Sequence, residues 1–469
     1  MPMYRKLFSA VLLLAILAAC SPSTPVIPTA TSAPVGPTAT PLPPSPTPYP
    51  APTITPTPLA GTLFADPSVD LGPISPYVYG SNYGPWVAIP YTMLDQAFNS
   101  HVTVLRWPGG NWGDIGLNDV TPAQIDMFMG VLGKMNAIPT ISVRLYQGSP
   151  DAAAALVRYV NIQKGYKVRY WSIGNEPNLY PGLLKKPYDT DQFNREWRAM
   201  ALAMKAVDPT IQLLGPELNQ FTANDATNPK DSQGHDFMTE FLKANGDLTD
   251  VVTIHYYPFP KDNQGTQATI AEMRADSAKW DHTIPYLREL IHKTTGRDIP
   301  IAVTEINSYW SAAISGQTTP DAFYTAIWYG DVLGRMIKQH TFMVNIWLFA
   351  STGDAYALVT SGKLRPTYYV FQMYNHFGSQ QFYAASGLPD VSIYAAKRAD
   401  GTLTLMVINL ADTQQQVPLQ VQGLKLSQAA HTWLFDATHK AEDTGATDLS
   451  GGKLTLPAQS ISLFELPGK

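Results

Sequence analysis

The sequence predicts an α/β chain: an eight-stranded parallel (β/α)8 barrel of the TIM type, with a C-terminal antiparallel β-sandwich that also takes an N-terminal strand. Three observations predict it. Eight β-type segments alternate with helical ones between residues 77 and 350, the pattern of a parallel barrel. Polar and charged residues gather at the ends of those segments, and the C-terminal mouth is where barrels carry their chemistry. After Phe377 the alternation stops, and short strands with turn signals follow.

The chain of 469 residues has room for a barrel and an appendage. Its net charge of −5 gives no reason to expect a nucleic acid partner. Residues 1–20 form a targeting segment: Arg5 and Lys6 precede an apolar run, residues 7–19, too short to span a bilayer comfortably. The run ends Leu17-Ala18-Ala19-Cys20, which resembles a bacterial lipoprotein box with lipid on Cys20. Cys20 is the single cysteine, so no intrachain disulfide is available. Residues 21–60 hold fourteen of the forty prolines and no charge. Such a segment buries no core and favours an extended stalk, about 3.1 Å per residue, or roughly 100 Å in all. The expected location is the bacterial cell surface, membrane-attached through the lipid alone.

The expected barrel spans 72–377, with strands at 77–82, 102–108, 138–144, 168–176, 212–217, 251–257, 300–307 and 342–350. Helices are expected at 190–207, 268–294 and 320–339, with Asp189 or Thr190 and Thr319 as capping candidates. In the fourth strand, alternation places Tyr170, Ser172, Gly174 and Glu176 on one face and Trp171 and Ile173 on the other. Residues 62–71 and 378–469 form the expected sandwich, including a hairpin of 391–397 with 402–409 around Asp400-Gly401.

The strand tips carry the candidate chemistry. Arg106 and Asn111 follow strand two, Asn175 and Glu176 strand four, His255 and Tyr257 strand six, Glu305 strand seven and Trp347 strand eight. Strands four and seven face each other across a barrel mouth, so Glu176 and Glu305 can flank one ligand. Two carboxyl groups about 5–5.5 Å apart, one ionised and one protonated, suit cleavage of a glycosidic bond with retention. Arg106 and Tyr257 are expected to hold Glu305 charged as the nucleophile, while burial and repulsion keep a proton on Glu176 as the acid. Asn175 is placed for the sugar 2-hydroxyl, His255 for orienting the site, and Trp347 for stacking under the ring. Trp86, Trp112 and Trp310 fall in loops at the same end, whereas Trp107, Trp171 and Trp328 read as packing residues. Glu217, at the tip of strand five, is expected to contact substrate or nothing, and Asp114 receives no role. No cofactor and no metal are called for.

Arg-Trp-Pro-Gly-Gly-Asn (106–111), Gly-Asn-Glu-Pro (174–177), His-Tyr-Tyr-Pro (255–258) and Thr-Glu-Ile-Asn (304–307) are similar to motifs of glycoside hydrolase families 44, 51 and 39. Residues 74–80 resemble the first strand of the family 44 and 51 enzymes, and 365–369 the segment leaving their eighth strand. The chain thus resembles, over about residues 62–469, a retaining glycoside hydrolase of the large barrel clan with its glutamates on strands four and seven. The resemblance implies a poly- or oligosaccharide substrate, with an endo-β-glucanase or xyloglucanase favoured. An exo-acting arabinofuranosidase or xylosidase is the alternative. A surface carbohydrate-binding lipoprotein without catalysis is the reading from another class.

Overall fold

A computed structural model describes residues 60–259, 266–311, 314–353, 355–426 and 429–467. Residues 1–59, with Cys20 and nearly all of the expected stalk, lie outside them. Eight parallel strands close into a barrel: Gly80–Asn82, Val104–Trp107, Ile138–Val143, Tyr170–Ile173, Gln212–Leu218, Val251–Tyr256, Ile301–Ile306 and Met343–Ile346. Most are shorter than their sequence patterns. In the first, residues 76–78 form a 3-10 turn, so pairing begins only at Gly80.

The barrel interior is layered. Tyr77, Val104, Tyr170, Leu214, Val251, Ala302, Phe342 and Met343 pack together and close its N-terminal end. Two residues further along the second strand comes Arg106, and four further along the sixth comes His255, both fully buried. The same period of two that fills the floor with apolar groups therefore delivers charged ones to the mouth. Two strands depart from that period. Between Gly215 and Leu218 the fifth strand carries an extra residue against the sixth, and the seventh does so between Val303 and Ile306 against the eighth. These bulges fall at Glu217 and at Thr304-Glu305, re-aiming side chains beside the mouth.

The helices wrap the strands with one apolar stripe each. Along Thr190–Val207 the buried residues Phe193, Trp197, Met200, Ala201 and Met204 recur at helical spacing. Asp189 is its N-cap residue by position, but its carboxylate holds Ser232 rather than the helix end. The expected helix 268–294 is two helices, Ile270–Ser277 and Trp280–Thr295, with Thr269 and Glu272 forming a capping box on the first. The helix placed at 320–339 starts at Phe323 with Ala322 as cap, because Thr319 is drawn into a loop by bonds to Gly316 and Asp321.

The sandwich takes the form of one nine-stranded sheet curled over its own core. From one edge its strands are Lys440–Asp448, Ala429–Phe435, Ser460–Leu466, Leu403–Asn409, Val391–Lys397, Gln380–Ser386, Leu63–Pro73, Gln415–Val421 and Lys453–Leu456. The N-terminal strand Leu63–Pro73 lies antiparallel to Gln380–Ser386 and parallel to Gln415–Val421. Alternation divides the sheet's two faces. Ile393, Ala395, Leu405 and Val407 enter the sheet's own core. Tyr394, Met406, Ile408 and Ile461 join the barrel core, against helix Phe323–Lys338. Gln380–Ser386 and Lys440–Asp448 were not expected as strands. The second alternates polar and small residues with few apolar ones, which conceals an edge strand.

Candidate active site

Glu305 stands at the end of the seventh strand with a donor on each carboxylate oxygen. Tyr257 donates to Oε1 at 2.5 Å and Arg106 Nη1 to Oε2 at 3.2 Å. Glu176 reaches the same space by a different route. Alternation holds through Tyr170, in the barrel floor, and Ser172, also inside. The strand then ends at Ile173, and Gly174 (φ +81°) and Glu176 (φ +50°) turn the chain into the mouth. The expected continuous strand face up to Glu176 is thus replaced by a turn. That turn is clamped from outside the strand. Asp114 accepts from the backbone N–H groups of Leu145, Tyr146 and Asn175, each at 2.8 Å, and from the Tyr180 hydroxyl.

Both donors that meet Glu176 fall on one oxygen. Oε1 lies 2.7 Å from Asn219 Nδ2 and 3.0 Å from His255 Nδ1. Facing oxygens of Glu176 and Glu305 and a ring nitrogen of His255 all come within 4.8 Å of one another. This spacing matches the short carboxyl separation of retaining glycosidases. A cation placed among the three would have to strip the proton from His255 and compete with Arg106 for Glu305. Arg106 and His255 already pair with these carboxylates.

Beneath the pair lies a third carboxylate, Glu217, fully buried. It accepts from Ser172 Oγ (2.6 Å), Thr304 Oγ1 (2.5 Å) and His255 Nε2 (2.8 Å), and lies 3.3 Å from Arg106 Nη2. Burial opposes its charge, but Arg106 and His255 outweigh burial and bring the carboxyl down to about 2. Burial likewise opposes charge on His255. Glu305, Glu176 and Glu217 overcome it and push the imidazole up to about 9. Burial raises the Tyr257 hydroxyl well above its ordinary range, with Glu305 adding to it, so it remains a donor.

Glu305 departs from expectation. Its contacts with Arg106 and Tyr257 are both present, yet burial, aided by the neighbouring Glu176, pushes its carboxyl above the ordinary range. Counting charges explains this. Three carboxyl groups face two cations, Arg106 and His255, so the buried cluster is neutral only when one proton is held within it. With Glu217 ionised, burial and the neighbouring Glu176 oppose the charge of Glu305. One proton on two facing carboxyl groups is the state that double displacement starts from.

The remaining candidates surround this cluster. Arg106 Nη2 donates to Asn175 Oδ1 at 2.8 Å, and Asn175 Nδ2 donates to Asn111 Oδ1 at 2.9 Å. Asn111 itself is exposed at the rim. Trp347 follows the eighth strand, its benzo edge against Gly109 and Gly110, where an added Cβ would come within 3.2 and 2.5 Å. Only glycines leave that ring its place. Trp86 stacks on Trp347, centroids 5.8 Å apart at 27°, and Trp112 tilts against Trp86 at 6.5 Å. Trp310 is 44% exposed in the loop after the seventh strand. Trp107, Trp171 and Trp328 are buried in the core, as their patterns suggested.

Sequence reasoning gave Glu217 only an open reading, set Asp114 aside, and missed Asn219 and Asn82, which binds Arg106 Nη1 at 3.0 Å. Glu217 and Asn82 each end a barrel strand, the same signal that identified the others. Asp114 and Asn219 act from loops, and nothing local marks them.

Comparison with known proteins agrees with this geometry. Residues 153–418 match glycosyl hydrolases family 39, and residues 389–460 match the C-terminal immunoglobulin-like domain of D-apionate lactonase. No curated protein matches the chain significantly. Among solved structures, CelM2, a bifunctional glucanase-xylanase from a metagenome library, aligns with TM-score 0.68 at 20% identity, covering 87% of this chain and 99% of its own. A Paenibacillus polymyxa xyloglucanase of family 44 gives 0.68 at 17% identity, covering 87% and 99%. The α-L-arabinofuranosidase of Thermotoga maritima gives 0.66 at 17% identity, covering 86% and 99%. At such identities the structures share the fold. The family match spans more than half of the chain, including both glutamates of the mouth, and the chain belongs to family 39 of the glycosyl hydrolases, a retaining (β/α)8 glycoside hydrolase.

Proposed function

We propose that this enzyme cleaves internal β-linkages of a glucan or xyloglucan by double displacement, with Glu305 as nucleophile and Glu176 as acid and base. The observation that carries the endo reading is the cluster of Trp347, Trp86 and Trp112, which extends from the end of the eighth strand along the loops of the mouth. Each indole face can cover about one sugar ring, so such a cluster suits a chain better than a single terminal residue. The roles follow from the donors. Glu305 has one donor on each oxygen, which fixes its orientation for attack on the anomeric carbon. Glu176 has both donors on Oε1, which leaves Oε2 to carry the proton to the leaving oxygen and later to take one from water. Asn175, held by Arg106 and Asn111, offers its second amide hydrogen to the sugar 2-hydroxyl. His255 orients Glu176, and Trp347 forms the stacking floor.

Exo-acting arabinofuranosidase or xylosidase activity is the second reading. The deep burial of both glutamates, 7% and 6% exposed, favours it. Product lengths from a panel of polysaccharides and aryl glycosides, treated with the chain from Thr62 onward, separate the two. Mixed oligosaccharides support endo action, and release of single sugars alone supports exo action. Glu176→Gln and Glu305→Gln should each remove most of the rate. If glycan binds but nothing is cleaved, the double-displacement reading fails.

The anchor belongs to the same proposal. Lipid on Cys20 would attach the enzyme to the outer side of a bacterial membrane, where polymers are met. Cys20→Ser should move the protein from the membrane fraction to the soluble one. Retention in the membrane would contradict the lipoprotein reading.

A further inference from the structure

His255 joins two carboxylates that do different things. Its Nε2 faces Glu217 at 2.8 Å and its Nδ1 faces Glu176 Oε1 at 3.0 Å, with Glu305 Oε2 further off at 4.0 Å. Glu217 is ionised, so it can only accept, and Nε2 must carry a hydrogen in every protonation state of the ring. Ser172 and Thr304 donate to the same carboxylate, and Arg106 lies beside it, so Glu217 cannot turn away. The charged and titratable groups around His255 are thus Glu176, Glu217, Glu305 and Arg106, with Tyr257 behind Glu305.

We propose that Glu217 is a positioning residue for the acid. By fixing the Nε2–H of His255 it turns Nδ1 onto Oε1 of Glu176, and so makes Oε2 the atom that exchanges the proton. The inference rests on the role proposed for Glu176. In the first step the Oε2–H bond breaks, its proton passes to the leaving oxygen, and Glu176 remains as a carboxylate with Oε1 held by His255 and Asn219. In the second step Oε2 takes a proton from the attacking water. Charged His255 steadies the carboxylate between the two steps. Neutral His255, with only Nε2–H, would instead accept at Nδ1 and draw the acid's proton to the wrong oxygen.

The test compares wild type with Glu217→Gln, using 2,4-dinitrophenyl and phenyl glycosides of glucose, xylose and arabinofuranose. Dinitrophenolate leaves without acid assistance and phenolate needs more of it, so loss of acid positioning separates them. The expected result is a fall in kcat/KM of about 30-fold or more for the phenyl glycoside, and of about threefold or less for the dinitrophenyl glycoside. Equal loss on both would overturn the proposal, since Glu217 would then act through Arg106 and the nucleophile or on folding alone. Should Glu217→Gln fold poorly, His255→Asn supplies the second variant. It keeps an N–H near the Nδ1 position without the link to Glu217, and the same selectivity for leaving group is expected at smaller size.

Titration of the His255 ring by NMR reads the same link without turnover. The wild-type ring should stay charged until about pH 9 and lose its charge at least one unit lower in Glu217→Gln. An unmoved titration overturns the inference. If the wild type cleaves neither these glycosides nor a glucan or xyloglucan while the titration moves as expected, the proposed function fails and the Glu217–His255 link stands.

Discussion

Tyr257 and Arg106 divide the two oxygens of Glu305 between them, and the division has a measurable pH consequence. In its proposed role as nucleophile Glu305 must be charged to attack, so activity should fall as pH drops through its pKa. The Tyr257 hydroxyl opposes the rise that burial imposes on that carboxyl. In Tyr257→Phe the carboxyl rises further, and the acid limb of the kcat/KM profile should move to higher pH. The rate at the optimum should fall about 10- to 100-fold, the worth of a hydrogen bond to a charged group. An unmoved acid limb would mean that the hydroxyl does not serve Glu305. At this scale the sequence was readable where a strand tip announced the residue. Arg106, His255, Tyr257 and Glu305 all converge because three strands deliver them to one mouth. The charge balance of the cluster was not readable, because it depends on a third buried carboxylate whose partners come from four other strands.

Among the elements, the turn after the fourth strand matters most, and it is held by a residue from the loop after the second. Four donors converge on Asp114, two from the segment after the third strand and two that fix Asn175 and Tyr180. Asp114→Asn places an amide N–H2 where acceptors are needed. It should cost about 2–3 kcal/mol, seen as a Tm lower by several degrees. Because the turn aims Glu176, kcat/KM should fall about tenfold or more even at temperatures where the variant is fully folded. Full activity in the folded variant would show that the turn holds itself. Strand periodicity predicted the barrel segments but not this turn. Alternation carries a side chain only as far as the ladder continues, and the ladder stops at Ile173. The positive φ values beyond it are a tertiary effect, imposed by Asp114 and by the Glu176 N–H bond to the Glu217 carbonyl. Bulges in the fifth and seventh strands were hidden for the same reason.

In the whole molecule, barrel and curled sheet share one packed seam along helix Phe323–Lys338. Its residues are buried almost all round, because other helices of the barrel flank it and the sheet covers its outer side. At Gly334 the ring of Tyr394 comes so close that an added Cβ would lie 2.2 Å from it, while the Tyr394 hydroxyl is held by Asp331. Gly334→Val should wedge this seam open and cost about 1–3 kcal/mol. The Tm should fall, while kcat/KM at low temperature stays within about twofold, since the seam lies away from the mouth. The order of barrel and sheet was legible from alternation followed by its loss, and the sheet's polar edge strand was not. On the proposed reading, barrel closure brings two distant glutamates together as acid and nucleophile. Its most direct test is azide rescue of Glu176→Ala and Glu305→Ala on an aryl glycoside, reading the anomeric configuration of the glycosyl azide. Glu176→Ala should give the azide with retention and Glu305→Ala should give it with inversion. The opposite pairing, or no rescue of either variant, would contradict it.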